Sequence, residues 1–168
     1  MVFNPQPTLT GELIELRPIR ADDFPALYAV ASDPLIWEQH PNSDRYKESV
    51  FAEFFRDALK SGGAFVVLDR KTGKLIGSSR YSGFTDAGSE VEIGWTFLAR
   101  AYWGGQYNAQ MKRLMLGHAF KSFRTVRLVI GAKNFRSQRA AEKIGAVRSD
   151  SFTDSGGTEK LVYRISAP

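Results

Sequence analysis

The chain has 168 residues, is 43% hydrophobic and 24% charged, and carries a formal net charge of +5, which is the composition of one globular domain with enough chain for a real core. With no cysteine and only His40 and His118 as histidines, it offers no disulfide framework, no thiolate metal site, no cysteine acyl-enzyme and no basis for a histidine metal centre. No apolar run approaches the ~20 residues of a membrane span and Met1-Val2-Phe3-Asn4-Pro5 has no signal-peptide regions, so a cytoplasmic location is expected. The basic balance favours anionic partners, but Lys and Arg are scattered rather than striped, which argues against a nucleic-acid module.

Residues 1–8 are polar and proline-bearing and read as a loose arm. Thr10 to Ile19 alternates apolar Leu13, Ile14 and Leu16 with polar neighbours and predicts a strand ending near Pro18. Asp22 to Ser32 has Phe24, Leu27, Tyr28 and Ala31 at helical spacing, with Pro34 as its stop. After a loop over residues 33–43, Tyr46 to Leu59 predicts a second helix with Val50, Phe54, Phe55, Ala58 and Leu59 in its stripe, closed by Gly62-Gly63. Ala64 to Asp69 and Leu75 to Phe84 read as a hairpin around Lys71-Thr72-Gly73-Lys74. A turn at Asp86-Ala87-Gly88 leads into a strand from Ser89 to Leu98. A helix follows from about Tyr107 to Phe123, then a short apolar strand, Val126 to Ala132, suited to burial on both faces. Phe135 to Ile144 reads as a helix stopped by Gly145. Val147–Thr153 and Glu159–Ile165 read as a final hairpin. The order β-α-α-β-β-β-α-β-α-β-β implies an α/β (α+β mixed sheet) layer fold in a single domain over residues 1–168.

Three segments carry chemistry. Trp103-Gly104-Gly105-Gln106-Tyr107-Asn108 opens a helix, and a glycine-bearing turn there offers free N–H groups and a positive dipole end to an anion. It reads either as a phosphate cradle or as a plain glycine-rich connection with Asn108 in a local capping role. It fits neither the dinucleotide fingerprint nor the P-loop. Asn134 stands at a strand-to-helix junction, where it suits an N-cap, with Ser137 in the first turn. In Glu90-Val91-Glu92-Ile93-Gly94-Trp95, period two puts Glu90, Glu92 and Gly94 on one face. A carboxylate beside a strand glycine, where bulges occur, can act as a general base through a water. The alternative is a solvent-facing glutamate pair.

Taken together, these segments resemble the coenzyme-A-binding half of the GNAT N-acetyltransferases, and within that superfamily the RimJ/RimL-like branch that acetylates ribosomal-protein N-termini. The resemblance spans roughly residues 10–165. The family's R/Q-x-x-G-x-G/A pattern, often W-G-x-G-Y-A in this branch, falls on Trp103 to Asn108. Gln106 stands where the first glycine belongs and Asn108 where Gly or Ala belongs. Asn134, Ser137, Ala140 and Glu142-Lys143-Ile144-Gly145-Ala146 match N-x-x-S-x-x-x-x-E-K-x-G-F/A. Many relatives have a tyrosine acid seven residues after this Asn; here that position is Ala141. Glu92-Ile93-Gly94-Trp95 resembles the branch's E-I-G-Y/W, and Leu16-Arg17-Pro18 with Asp22-Asp23 its opening L-R-P…D.

The resemblance implies a GNAT-like sheet in which the parallel strands Ser89–Leu98 and Val126–Ala132 splay around acetyl-CoA. Pantetheine amides then pair along Thr96, Phe97 and Leu98. Gly104, Gly105, Gln106, Tyr107 and Asn108 meet the pyrophosphate, with Asn134, Ser137 and Arg139 alongside. Arg136 and Arg139 either approach the ribose phosphate or are solvated. Glu92 is the implied base and Ser137, or a water, the implied acid to the leaving thiolate. Trp37 and the residues up to Tyr46, with Arg80 and Tyr81, form the implied acceptor wall. The implied reaction is direct acetyl transfer to a primary amine, of a protein N-terminus or a small molecule, by a monomer or homodimer without a metal. A non-catalytic acyl-CoA sensor or a basic interaction module on the same fold is the other reading.

Overall fold

A computed structural model describes residues 2–84 and 88–168. The turn expected at Asp86-Ala87-Gly88 therefore lies mostly outside the described residues. The strand expected from Thr10 to Ile19 is two strands, β1 (Leu9–Thr10) and β2 (Ile14–Pro18). They fold back on one another because the Gly11 N–H donates to the Ile14 carbonyl at 2.9 Å. The side-chain oxygen of Gln110 takes the N–H groups of Leu13 and Ile14 at 2.7 and 3.1 Å, and a Cβ at position 11 would clash with it.

Helix α1 (Phe24–Ala31) follows a 3-10 turn, Ala21–Asp23, that takes up the start of the expected helix. Asp23 anchors this turn by pairing with Arg17 at 2.7 Å and accepting the Arg20 N–H at 2.8 Å. Helix α2 (Glu48–Ser61) ends at Gly62, whose φ of 68° is the left-handed C-cap that glycine adopts freely. The remaining elements are β3 (Ala64–Asp69), β4 (Leu75–Ser82), β5 (Glu90–Leu98), α3 (Gln106–Ala119), β6 (Thr125–Gly131), α4 (Phe135–Lys143), β7 (Val147–Thr153) and β8 (Glu159–Ser166).

One eight-stranded sheet runs in the order β1-β2-β3-β4-β5-β6-β8-β7. Its neighbours are antiparallel except β5 and β6, which are parallel. Helices cover both faces. Phe51, Phe54 and Phe55 of α2 and Leu27 of α1 pack with Val66 and Phe97 on one side. Met111 and Met115 of α3 and Ala141 of α4 pack with Leu16, Phe65, Ile93, Val126 and Tyr163 on the other. Each such aliphatic or aromatic side chain taken fully out of water contributes roughly 1.5–3 kcal/mol. This is the mixed α/β sheet that the element order and the GNAT resemblance imply.

The arm over residues 2–8 is not loose. The Phe3 ring lies 4.9 Å from Phe123 and 5.3 Å from Tyr81, both edge-on. The Gln6 amide donates to the Ala64 carbonyl at 2.8 Å, and a ring nitrogen of His118 lies 2.7 Å from the Asn4 carbonyl. A single aromatic anchor overrides the polar composition of its surroundings.

Candidate active site

Parallel pairing of β5 with β6 covers only Glu90–Thr125, Val91–Val126 and Glu92–Arg127. Both strands run on past this point, to Leu98 and Gly131, without pairing to each other. The gap is the floor of a cleft of about 680 Å³. On its other edge β5 carries a bulge. Ser78 faces Phe97 while Arg80 faces Gly94, so β5 has one more residue than β4 over this stretch. Trp95 takes up the excess with φ at 53°, a left-handed conformation that a bulky residue holds only under strain. The bulge returns Phe97 to the face of Gly94 and turns Thr96 toward α3.

Thr96 meets a buried cation there. Nζ of Lys112 donates to Oγ1 of Thr96 at 2.8 Å, and this oxygen is also 2.8 Å from the Ser79 hydroxyl. Lys112 is 8% exposed, lines the cleft, and makes no ion pair among the described residues. Burial brings its ammonium down to about 8. Asn108 lies one helical turn before it, and Gly104 and Gly105 precede the helix. Gly104 has φ at 70° and Gly105 is the N-cap, with no side chain bonded to the first-turn N–H groups. A Cβ at either glycine would meet nothing within 4 Å. The start of α3 is thus an open set of N–H donors at the positive end of a 14-residue helix.

The opposite lip is the start of α4. Asn134, 7% exposed, caps it by accepting the Ser137 N–H at 3.4 Å. The Gln138 amide holds the end of β6 through the carbonyls of Gly131 and Ala132, at 3.1 and 3.0 Å. The Arg136 guanidinium lies 3.9 Å from the centre of the Trp103 ring and donates to the Ile36 carbonyl at 3.1 Å. It ties α4 to the loop after α1 and to the turn before α3. The Trp103 indole donates to the Leu98 carbonyl at 2.9 Å.

On the α2 side of the sheet, Glu92 accepts from Nη2 of Arg127 at 2.9 Å. Glu90 is 2.6 Å from Nε of Arg164 and 3.8 Å from Arg127. Burial raises the Glu92 carboxyl above its ordinary range, and the field of Arg127 only partly offsets this. His40 is held neutral: burial, with Arg45 and Lys160 nearby, brings it down to about 3. Its Nδ1 accepts the Asn42 N–H at 3.0 Å.

Of the residues expected at the site, Trp37, Thr96, Phe97, Leu98, Gly104, Gly105, Asn108, Asn134, Ser137 and Arg139 line this one cleft. Gln106 is the exposed first residue of α3, and Tyr107 packs edge-on against Tyr102 with ring centres 4.8 Å apart. Neither is part of the lining. The Leu98 carbonyl, expected on the free edge, already holds the Trp103 indole. Glu92 sits behind the lining, two residues from Gly94, in its pair with Arg127. Tyr81 is a correction. It is fully buried in the α3-side core, where its hydroxyl donates to the Met115 carbonyl, so it forms no acceptor wall. Arg80, its neighbour on the strand, points to the other face, where it lies over Trp95 at 4.6 Å, buried and not part of the lining.

Lys112 and the latch of Arg136 on Trp103 escape the motif reading, whereas His40 and Arg45 fall in the 37–46 segment expected at the acceptor wall and line the cleft. Lys112 has a signal in hindsight, as a charge set among the buried Met111, Met115 and Leu116. Among the described residues no cluster of His, Cys, Asp or Glu is placed to hold a metal, and no helix is long and apolar enough to cross a membrane.

The model of the acetyltransferase (GNAT) domain family matches residues 14–147. No curated protein matches the chain in sequence. Among solved structures, a GNAT-family acetyltransferase from Bacillus anthracis superposes with a TM-score of 0.79 at 19% identity, covering 95% of this chain and 98% of that one. RimJ of Mycobacterium smegmatis, solved with CoA-disulfide, gives 0.71 at 18% identity over 92% and 82% of the two chains. The ribosomal-protein-S5-alanine acetyltransferase of Vibrio fischeri gives 0.72 at 15% identity over 96% and 97%. At these identities the likeness is one of fold.

Proposed function

The chain belongs to the GNAT acetyltransferase family, and from that premise we propose that it moves an acetyl group from acetyl-CoA to a primary amine in one ternary complex. The observation that carries this reading is the parting of β5 from β6 beyond Glu92 and Arg127. It opens a cleft that runs between two helix starts, one uncapped and glycine-bearing, the other capped by Asn134. The residues present fit coenzyme A. Open space over Gly104 and Gly105 and the first-turn N–H groups of α3 suit a pyrophosphate, and Arg139 lines the cleft beside Ser137. The unpaired edge of β5 at Thr96 and Phe97 suits an amide-bearing arm. Bound acetyl-CoA supplies the activated acyl group as a thioester.

The chain's own groups do the rest. An alkylammonium near its usual pKa of about 8–10 is protonated at neutral pH and cannot attack. Glu92, raised by burial, takes its proton through a water. N–H groups at the Trp95–Thr96 bulge steady the charge that builds on the reacting oxygen. Ser137, the buried ammonium of Lys112, or a water returns a proton to the departing sulfur. The test is calorimetric titration with coenzyme A, followed by mass spectrometry of peptides and small amines incubated with acetyl-CoA. Coenzyme A binding with an acetylated amine supports the proposal. Binding without transfer to any amine identifies a sensor, and absence of binding overturns the cofactor assignment.

A further inference from the structure

The lining of the cleft contains six Lys or Arg side chains and no Asp or Glu. On the acetyl-transfer reading the phosphates of coenzyme A would face those on α3 and α4, and Lys160 of β8 pairs with Asp154 at 3.9 Å. Arg45 does not belong to that group. It lies in the loop before α2, with His40 and Pro41, on the face of Glu92. Its guanidinium is 4.7 Å from the centre of the Phe54 ring and 5.2 Å from Trp37. Arg80 shares the Phe54 ring at 5.4 Å and lies 4.6 Å from Trp95. Arg80 is 6% exposed, and its Nε is buried without a hydrogen-bond partner among the described residues.

Neither arginine forms an ion pair among the described residues. The carboxylates whose fields reach them, Asp44 and Asp57, are exposed residues. Burial brings both guanidiniums down to about 10, helped at Arg45 by the field of Arg80, yet both are charged at neutral pH. Aromatic faces offset part of this cost, but a ring face accepts no full hydrogen bond, and Arg80 Nε is left with no partner among the described residues. Two adjacent unpaired cations, one of them with an orphaned donor, form a site for an anion that the chain itself does not supply.

We propose that Arg45 and Arg80 hold a carboxylate of the acceptor, so that the amine acetylated by this protein belongs to a molecule that also carries a carboxylate. The planar fork of arginine matches that group, and Phe54, Trp37 and Trp95 hold the two forks in place. The proposal rests on the acetyl-transfer reading. The carboxylate has two possible sources, the acid group of a free amino acid or an acidic side chain at the start of a peptide.

The first test compares matched acceptors under acetyl-CoA. Amino acids are set against their amides and decarboxylated amines, and peptides beginning with Asp or Glu against those beginning with Asn or Gln. The carboxylate member should exceed its neutral partner at least tenfold in kcat/KM, and the series in which it does so identifies the source. Arg45→Gln and Arg80→Lys should each shrink that ratio toward one. Equal or better turnover of the neutral partners overturns the proposal. A second measurement needs no turnover. The arginine Nε–H resonances of the coenzyme-A-bound protein are titrated with glutarate and with β-alanine. A saturable shift, lost in Arg45→Gln, supports the site, and no shift with either probe overturns it. Failure of coenzyme A itself to bind counts against the acetyl-transfer reading and is seen separately by calorimetry.

Discussion

Lys112 is a cation that the fold has largely withdrawn from water at the wall of the cleft, with one hydroxyl as its partner. An ion so placed costs several kcal/mol unless a counter-charge arrives. Lys112→Met keeps the length and removes the charge. Its melting temperature should equal or exceed that of the parent, while coenzyme A affinity should fall roughly 10- to 100-fold, the worth of one charge-assisted hydrogen bond. A lower melting temperature with unchanged affinity, by calorimetry, would make Lys112 purely structural. Glu92 is tested by its amide. Glu92→Gln still accepts a hydrogen bond from Arg127 but takes no proton, so kcat should drop by about 10²–10⁴-fold. The remaining rate should climb with pH as free amine comes from solution. Retention of near-full kcat at neutral pH would exclude Glu92 as the base, and Glu90→Gln is the companion variant. Arg80 and Tyr81 hold a lesson about faces. Adjacent strand residues point opposite ways, so the alternation already forbade both from one wall.

Two helix starts build the proposed cofactor lip, and they differ in how plainly the sequence announces them. Asn134 between an apolar run and a helical pattern is a cap by its own chemistry, and the structure has it there. Asn134→Ala should cost ~1 kcal/mol of stability. If the cap also shapes the lip, KM for acetyl-CoA should rise at temperatures where the variant is fully folded. Unchanged kinetics would reduce Asn134 to its cap. At α3 the signal was the pair Gly104-Gly105, and the two are not equivalent. Gly104 alone has a left-handed φ, so Gly104→Val should cost about 1–3 kcal/mol and weaken coenzyme A binding. Gly105→Ala should be nearly neutral in stability, and calorimetry on the folded variant isolates its effect on the anion. Other elements were illegible for want of their partners. The turn at Gly11 depends on Gln110, in a helix the local pattern cannot see. Phe3 makes an arm dock because Phe123 and Tyr81 offer it an edge. Glycine at 94 suggested a bulge, but the strained residue is Trp95, fixed by pairing with β4.

At the scale of the whole molecule, acid should unlatch the loop over residues 37–46. His40 accepts the Asn42 N–H only while its Nδ1 is unprotonated. Its value in the folded chain, about 3, lies below the ordinary 6.5. The unfolded chain therefore binds the extra proton first, so stability is full above 6.5 and declines as pH falls toward 3. The decline is at most ~1.4 kcal/mol per pH unit for one such group. His40→Asn retains an acceptor without the titration, and urea melts between pH 7 and 4.5 should show a shallower slope for it. Coincident slopes would clear His40 of the effect. The parting of β5 and β6 has a mechanical consequence. The sheet is two plates, β1–β5 and β6–β8, hinged at three residue pairs and clasped by Arg127 on Glu92 and Glu90. A ligand wedged between them acts as a keystone, adding about 2.7 kcal/mol at a hundredfold excess over Kd. Its grip should be felt well beyond its own contacts. Amide exchange ought to slow in β8 as well as along the open edges, so that the two plates come to unfold as one.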